Sequence, residues 1–291
     1  MDPIEVARRS WRWCRLLPDR RRSRFEPSFG GGLSYAPAAA HVADGRYQEW
    51  LRVMREGNAF HRKVWEWCFI LEAMRDSGLL RPGSDALGFG VGHEPVPAVL
   101  ASYGVRVTAT DQPEAGIWDR TNEHAGHVGA LRNDGICDTN QFATLVNYQP
   151  VDMLAVPTDI TSKRFHLVWS SCCVEHLGTP EAGLQFIRSA MNWVAPGGLA
   201  IHTTEYNIVD GDRVVQVDNP YTAFYRQRDL EALVLALRKD GHEVQCNFHV
   251  SNRLPEDRFV DRQPYKHSPH LKLDINGATV TSFGITVRRS S

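Results

Sequence analysis

Hydrophobic side chains in the first third of the chain recur at the spacing of a helix. Within residues 47–77 they follow one another at three- and four-residue steps, the period of one buried helix face. The Gly-Asn pair at 57–58 interrupts this pattern and predicts two helices rather than one. Glycine, alanine and proline dominate residues 29–40, which predicts a loop there. We therefore expect residues 1–83 to form a helical cap segment.

From residue 84 onwards, strand-like runs alternate with amphipathic helices. Runs rich in apolar and β-branched residues predict strands at 85–90, 105–111, 150–156, 165–171 and 198–206, and two more in "HEVQCNFHV" and "ATVTSFGITVRR". Helical periodicity predicts helices at 94–104, 181–194 and 228–241. This alternation predicts an α/β domain over 84–291 with a mostly parallel, doubly wound sheet. The two consecutive final strands fit an antiparallel edge.

Two segments do not follow the alternating pattern. Residues 112–148 show no clean period and are too long for an ordinary connection, so we expect a lid-like insertion. Residues 1–25 carry eight arginines interleaved with tryptophans. We expect a helix there that packs its aromatic side chains on the main domain. A membrane-surface or RNA-binding helix is the alternative for this segment.

Composition limits the classes of partner. A net charge of −1 gives no overall attraction for nucleic acid, so a nucleic-acid partner is not expected. The six cysteines show no CxxC spacing, which argues against a zinc ribbon and is typical of reduced thiols in the cytoplasm. No apolar run reaches the roughly 18 residues that a membrane helix needs, and the first residues lack the apolar core of a secretory signal. We expect a cytoplasmic protein without a membrane span.

Three glycines at alternate positions, Gly88, Gly90 and Gly92, follow the first strand of the predicted domain. At a strand-to-helix turn, glycines let the backbone approach a ligand, which in an open α/β sheet lies beyond the carboxyl ends of the strands. The stretch does not match the dinucleotide fingerprint GxGxxG, because Pro95 stands at the third glycine position. Asp111 ends the next strand, where a carboxylate can accept hydrogen bonds from a ribose diol. A solvated turn residue is the alternative for Asp111.

Five stretches between residues 84 and 210 follow the order of a known set of motifs. They are "ALGFGVG", "VTATD" with Gln112, "PVDMLAVP", "FHLVWSSCCVEHLG" and "WVAPGGLAIHTT". Together they resemble the class I S-adenosylmethionine-dependent methyltransferases. The resemblance implies a seven-stranded Rossmann-like sheet and S-adenosyl-L-methionine as the cofactor, with Asp111 at the ribose and Asp152 near the adenine. The implied cofactor-binding residues are Gly88, Gly90, Gly92, Asp111, Gln112, Asp152, Met153 and Ser170.

Two positions depart from the family's pattern. The acid that the family carries two residues before its first glycine is Ala86 here. The neighbouring Asp85 points to the opposite face of the strand, because side chains alternate along a strand. Glu94, near the start of the following helix, is our candidate to bind the cofactor's amino group instead. His166 replaces the aspartate of the family's "FDLV".

Candidate catalytic residues follow the next two strands of the predicted sheet. Methyl transfer is an in-line displacement that needs alignment and, for a hydroxyl acceptor, a base within hydrogen-bond reach. Glu175 and His176 come after the strand at 165–171, and Glu205 ends the strand at 198–206. We expect His176 to be the base, with both carboxylates beside it. Alternatively, Glu175 and His176 cap a turn while Glu205 pairs with an arginine.

The same two segments resemble the ubiquinone-pathway O-methyltransferases and the small-RNA 2′-O-methyltransferases. In those groups the Glu-His pair binds a divalent metal beside the acceptor hydroxyl, and a carboxylate and an imidazole suit such an ion. Cys172 stands where those groups carry a further acid. A divalent metal therefore stays an open alternative for this chain.

The motifs favour an S-adenosylmethionine-dependent methyltransferase that O-methylates a sugar or another hydroxylated small molecule. The partner is then a small-molecule or glycan acceptor, whose identity the motifs leave open, as they do the oligomeric state. One alternative is a non-catalytic methyltransferase-like binding protein, which the departures at Ala86 and His166 favour mildly. Another is a dinucleotide-dependent oxidoreductase, which the missing GxGxxG disfavours.

Overall fold

A central sheet with helices on both faces forms the body of the protein. The computed structural model describes residues 26–114, 116–119, 123–209, 216–218 and 221–290, so the arginine-rich residues 1–25 lie outside the described part. The strands are β1 (Ser34–Tyr35), β2 (Asp85–Phe89), β3 (Arg106–Asp111), β4 (Val146–Pro150), β5 (Phe165–Ser171), β6 (Val194–Asn207), β7 (Gln216–Asp218), β8 (Tyr221–Ala223), β9 (Glu243–Val244), β10 (Cys246–Asn247), β11 (Lys272–Ile275) and β12 (Ala278–Arg288).

The helices lie mainly between these strands. They are α1 (Gly45–Met54), α2 (Arg62–Asp76), α3 (Val96–Ser102), α4 (Thr139–Leu145), α5 (Thr158–Thr161), α6 (Pro180–Ala190), α7 (Gln227–Lys239) and α8 (Pro255–Arg258). The two helices expected on either side of residues 57–58 are α1 and α2. In the described part of the chain, no helix is both long and apolar enough to cross a membrane.

The main sheet is doubly wound, as the alternation of strands and helices predicts. Its order is β10-β1-β12-β6-β5-β2-β3-β4, and β9 and β11 also pair with β12. Strands β6, β5, β2, β3 and β4 are parallel, whereas β12 lies antiparallel between β6 and β1. From β2 the chain continues outward to β3 and β4 and then returns to β5 on the other side of β2. This reversal creates the crevice where open α/β sheets bind ligands.

Several strand predictions differ from the structure. The strand expected in "HEVQCNFHV" is two short strands, β9 and β10, and β12 lies inside the sheet and not at its edge. The strand expected at 150–156 is wrong, because β4 ends at Pro150 and the next residues form a turn at its carboxyl end. The prediction failed because it took the apolar residues of this stretch to be buried. Val151 is buried, but Leu154 is 63% exposed. The loop expected at 29–40 contains the short strand β1, whose Tyr35 pairs with Gly284 in β12.

Apolar side chains fill both faces of the sheet. One core contains Trp50 of α1 and Trp65 of α2, and the other contains Phe186 of α6 and Leu233 of α7. Helix α2 packs directly against β12 and β6. Within the segment expected to form a helical cap, β1 therefore joins the main sheet, and α2 brings its buried face to the strands that carry the candidate catalytic residues.

Candidate functional site

A cavity of about 1100 Å³ lies in the crevice at the carboxyl ends of the parallel strands. We call it the central cavity. The glycine loop after β2, the ends of β3 and β5, and part of β6 form its walls, and the first turn of α2 closes another side. Its volume is at the upper limit of the roughly 300–1,000 Å³ that small-molecule sites enclose. The central cavity can therefore hold two ligands of moderate size side by side.

The loop between β2 and α3 requires glycine where it borders the central cavity. Gly90 and Gly92 have φ angles of +57° and +49°, a region that side chains with a Cβ rarely adopt. A Cβ on Gly92 would also lie 2.4 Å from the carbonyl oxygen of Glu123. Gly88 serves packing instead: a Cβ there would lie 2.3 Å from the indole of Trp169. Only the second and third glycines thus face the ligand space.

Asp111, at the end of β3, ties this loop to its surroundings. Its Oδ2 accepts hydrogen bonds from the N–H groups of Gly92 (3.1 Å) and Ala125 (3.0 Å), and its Oδ1 accepts one from Gln112 (2.8 Å). An ionised carboxylate offers about four lone-pair sites, so about one remains for a ligand. Asp111 therefore both shapes the loop and keeps a free acceptor site at the cavity wall.

The structure gathers most of the residues expected to bind a cofactor. Those that line the central cavity are Gly90, Gly92, Glu94, Asp111, Gln112, Asp152 and Met153. Two expected residues, Gly88 and Ser170, do not line it. The Ser170 hydroxyl is fully buried and hydrogen-bonded to Nδ1 of His202 at 2.7 Å. Its part in cofactor binding stays a prediction without a contact to support it.

Glu94 is a buried carboxyl group at the wall of the central cavity. Its Oε1 accepts a hydrogen bond of 2.6 Å from the indole N–H of Trp169. Burial raises the pKa of Glu94 to about 8, although the hydrogen bond from Trp169 acts in the opposite direction. A cationic group beside Glu94 would stabilise its ionised form.

The two departures from the family's pattern, Ala86 and His166, lie at the opposite edge of the sheet, near the amino ends of β2 and β5. The backbone N–H of Asp85 donates to Nδ1 of His166 at 3.0 Å. The Asp85 carboxylate pairs with Arg106 at 2.6 Å. His166 therefore replaces an aspartate in a surface contact and does not touch the central cavity.

His176 lies in a short turn after β5, on the cavity wall. Its Nδ1 is 2.8 Å from the carbonyl oxygen of Tyr221, and the ring of Trp118 lies 4.6 Å away, centroid to centroid. Because a carbonyl oxygen only accepts, Nδ1 carries the proton and Nε2 keeps its lone pair. Burial lowers the pKa of His176, against the effect of the hydrogen bond to Tyr221. His176 is therefore a neutral imidazole with a basic nitrogen.

Glu175 and Glu205 are buried beside His176 and are only partly satisfied. Glu175 Oε2 accepts a hydrogen bond from Thr204 (3.1 Å), and Glu205 Oε1 pairs with the guanidinium of Arg62 (2.5 Å). The remaining oxygens, Glu175 Oε1 and Glu205 Oε2, are buried without a partner among the described residues. Burial raises the pKa of both groups, against the opposing charges of Lys63 on Glu175 and Arg62 on Glu205. Both residues line the central cavity, and each keeps one buried acceptor oxygen unused.

Sequence reasoning missed the basic residues at the start of α2. Arg62 and Lys63 line the central cavity, and both pair with the fully buried Glu66, at 3.2 and 3.6 Å. Hydroxyls on the strands, Ser171 and Thr203 among them, donate to Glu66 as well. One signal was available in the sequence: Arg62 and Glu66 are oppositely charged at positions i and i+4, a spacing at which side chains on one helix face pair.

Glu175 and Glu205, together with Cys172, form a poor metal site. Among the described residues, Cys172 Sγ and one oxygen each of Glu175 and Glu205 lie within 4.8 Å of one another. However, the Cys172 thiol donates to Glu66 (3.1 Å), and burial raises its pKa, so the sulfur stays protonated. Arg62 already neutralises Glu205. A protonated thiol and an ion-paired carboxylate do not favour a further cation.

Comparisons with known proteins show which fold the chain has. No family model and no curated protein matches the chain. Among solved structures, it is similar to phosphoethanolamine N-methyltransferase 2 of Haemonchus contortus in complex with S-adenosyl-L-methionine. The identity is 16% and the TM-score 0.50, over 87% of this chain and 58% of that one. A 1,6-didemethyltoxoflavin-N1-methyltransferase of Burkholderia thailandensis gives 15% identity and a TM-score of 0.47, over 88% and 93%. The chain has the fold of the class I S-adenosylmethionine-dependent methyltransferases, as the motifs predict.

Proposed function

We propose that this protein is an S-adenosylmethionine-dependent methyltransferase that O-methylates a sugar or another hydroxylated small molecule. The observation that carries the proposal is the set of residues that line one cavity at the crevice of the sheet. It combines a glycine loop anchored by Asp111 with a neutral His176 whose Nε2 is available to an acceptor. The volume of about 1100 Å³ leaves room for an acceptor beside the cofactor.

When bound, the cofactor supplies a methyl group on a positively charged sulfur. We assign its ribose to Asp111 and Gln112 and its adenine to Asp152 and Met153, because these residues line the cavity where the neighbouring strands β3 and β4 end. Glu94 lies at the other end of the glycine loop and suits the ammonium group, since an opposite charge stabilises the ionised carboxylate.

In the proposed reaction, the acceptor hydroxyl oxygen attacks the methyl carbon in line with the carbon–sulfur bond. The new oxygen–carbon bond forms, and the carbon–sulfur bond breaks with its electron pair left on sulfur. His176 Nε2 accepts the hydroxyl proton. The hydrogen bond from Nδ1 to the carbonyl of Tyr221 fixes the required tautomer and holds the ring in place. Burial disfavours the resulting cation, which promotes release of the proton after each turnover.

The polar groups around His176 support an acceptor with several hydroxyls. The unpartnered oxygens of Glu175 and Glu205 can each accept an O–H donor, and buried acceptors left unpaired are costly. Trp118 and Phe224 line the same cavity and offer apolar ring surfaces. Sugars present this combination of several hydroxyls and an apolar face.

We also propose that part of the segment 112–148 covers the acceptor. The residues of this segment that line the central cavity all lie within 112–123, namely Gln112, Pro113, Glu114, Trp118 and Glu123. Trp118 contacts His176, so movement of this part would open or close the proposed catalytic centre. Residues 1–83 would complete the opposite wall through α2.

Calorimetric titration with S-adenosylmethionine, S-adenosylhomocysteine and NADH tests the cofactor. We expect the first two to bind and NADH not to bind; binding of NADH alone would support the oxidoreductase alternative. A library of hydroxylated acceptors, assayed by release of S-adenosylhomocysteine, then tests turnover. Cofactor binding without methylation of any library member would favour the non-catalytic binding protein.

A further inference from the structure

Three histidines, none of them used in the proposed methyl transfer, meet where His61 lines the central cavity. His61 precedes α2, and His267 and His270 lie in the loop between α8 and β11. One ring nitrogen of each lies within 4.8 Å of the others. Backbone hydrogen bonds fix the two segments together: Arg62 N–H donates to His270 O (3.1 Å), and His270 N–H donates to Phe60 O (2.8 Å). We call these side chains the histidine cluster.

The ring separations in the histidine cluster are close to those of imidazoles around one ion. Zinc–nitrogen bonds of about 2.0–2.1 Å at tetrahedral angles place the centroids of neighbouring imidazole rings about 5 Å apart. The observed centroid separations are 4.5 Å for His61 and His270, 5.0 Å for His267 and His270, and 6.1 Å for His61 and His267. The rings are stacked or tilted, with interplanar angles of 17°, 36° and 20° for the same three pairs, so they must rotate about their side-chain torsions to bring three nitrogens to a common point.

Asp261 supplies a second, independent feature of a metal site. Its Oδ2 lies 2.6 Å from Nδ1 of His270, and the carboxylate also accepts the backbone N–H groups of Lys266 and His267, each at 3.0 Å. A carboxylate on Nδ1 keeps the proton there and leaves Nε2 with a free lone pair. Metal-binding histidines almost always have such a partner, which orients the ring and increases its basicity.

We propose that His61, His267 and His270 bind a divalent transition-metal ion of the zinc type, oriented by Asp261. The fourth coordination position is left to water, as in three-histidine sites. His61 lines the central cavity and His267 is exposed, so an ion can reach the site. Nδ1 of His61 accepts the N–H of Lys63 at 3.2 Å, so this ring turns on binding and α2 gives up one capping bond.

The proposed ion would join α2 to the loop before β11. Because α2 also carries Arg62 and Lys63, the ion would fix the wall of the central cavity that these residues form. This site is independent of methyl transfer, so it can exist whether or not the proposed function is correct.

The test uses untagged full-length protein, freed of metal with a chelator, and titrated with Zn²⁺ or Co²⁺ alone. We expect one ion per chain and, with Co²⁺, the visible absorption bands of a tetrahedral site. His267→Ala and His270→Ala should each weaken Zn²⁺ binding at least tenfold. Asp261→Asn should weaken it roughly 10- to 100-fold, the usual effect of removing such a partner. His127→Ala, at an exposed histidine far from the cluster in sequence, is the matched control and should bind as the wild type does.

Circular dichroism checks that each variant is folded, and the exposed position of His267 makes its variant the safest comparison. Zn²⁺ binding by the wild type that is no tighter than binding by His267→Ala would overturn the proposal. Equal losses in His127→Ala and His267→Ala would overturn it too, because they would indicate adventitious binding by any histidine.

Discussion

Burial and one polar neighbour each determine the chemical state of three side chains in the central cavity. The indole N–H of Trp169 donates a hydrogen bond to Glu94. The carbonyl of Tyr221 sets the tautomer of His176, and Arg62 pairs with Glu205. His176 and Glu205 could be predicted from the sequence, because they follow or end strands of a parallel sheet. Their partners could not, since Arg62 and Tyr221 lie far from them along the chain and no local pattern links them.

The first prediction at this scale concerns His176. If Nε2 takes the acceptor proton, His176→Ala should lower methyl transfer by at least about a hundredfold, since a general base contributes roughly 10²–10⁴-fold. The dissociation constant of S-adenosylhomocysteine should not change. We expect no metal ion at His176 itself, because neighbouring Cys172 and Glu205 already have partners. Near-normal turnover in the folded variant would show that His176 is structural.

A second prediction tests whether Glu94 binds the amino-acid end of the cofactor and not its adenosine end. Glu94→Gln keeps an oxygen for Trp169 but removes the negative charge expected to face the ammonium group. A hydrogen bond to a charged group contributes about 1.5–3 kcal/mol, so S-adenosylhomocysteine should bind roughly tenfold or more weakly. Methylthioadenosine lacks the amino-acid part and should bind both proteins equally. A matching loss for both ligands would contradict this role of Glu94.

A third prediction follows from the raised pKa of Glu94. The folded value is about 8 and the ordinary value 4.5. Between them the folded chain holds a proton that the unfolded chain has lost, so this group's contribution to the free energy of unfolding falls as the pH rises from about 4.5 to about 8. Glu94→Gln cannot ionise and should show a flatter pH dependence of stability in denaturant titrations without cofactor. Parallel profiles for the two proteins would argue against a protonated Glu94.

Among the secondary-structure elements, those with a clear apolar period were predicted well, whereas the edge strand β4 and the short strand β1 were not. Strand β5 and helix α6 follow their apolar patterns closely. Strand β4 lies at the edge, with one side open to solvent, so its sequence is polar and the prediction moved to the more apolar turn after it. The two-residue strand β1 has too few residues to carry a period, and its pairing to β12 is set entirely by tertiary contacts.

A prediction about the glycine loop belongs to this scale. Gly92→Ala places a Cβ against the carbonyl of Glu123 in a left-handed conformation, so the loop must move. The hydrogen bond from Gly92 N–H to Asp111 should be lost with it. We expect binding of S-adenosylhomocysteine to weaken at least tenfold and the melting temperature to fall. Gly57→Ala is the matched control, because a Cβ there meets no atom within 4 Å; equal behaviour of the two variants would count against the strained loop.

At the scale of the whole molecule, the sequence was enough to predict the crevice of the sheet. It was not enough to predict the wall of the central cavity that α2 forms. The order of strands and helices predicts the doubly wound sheet, and with it the position of the ligand site. The wall formed by Arg62 and Lys63 comes from a helix that precedes the domain in sequence. Only the packing of α2 against β6 and β12 brings Arg62 to Glu205.

The last prediction concerns movement of the cover. If residues 112–123 close over the acceptor, their amide hydrogens should exchange more slowly when S-adenosylhomocysteine and an acceptor are bound together. Helix α6, on the other face of the sheet, serves as the internal reference and should not change. Equal protection of residues 112–123 with and without ligands would show that this part of the chain is not a lid.

The position of β12 has a consequence for how the protein is made. This strand is the last in chain order, yet it lies between β1 and β6 in the sheet. During synthesis on the ribosome, β6 therefore presents an unpaired edge until about residue 280 has emerged, and β1 waits for the same strand over some 240 residues. Such non-local pairing folds slowly and exposes strand edges to other chains. The demand of the nascent chain on chaperones should thus be greatest until β12 has been synthesised, and a nascent chain stalled before β12 should aggregate or be degraded.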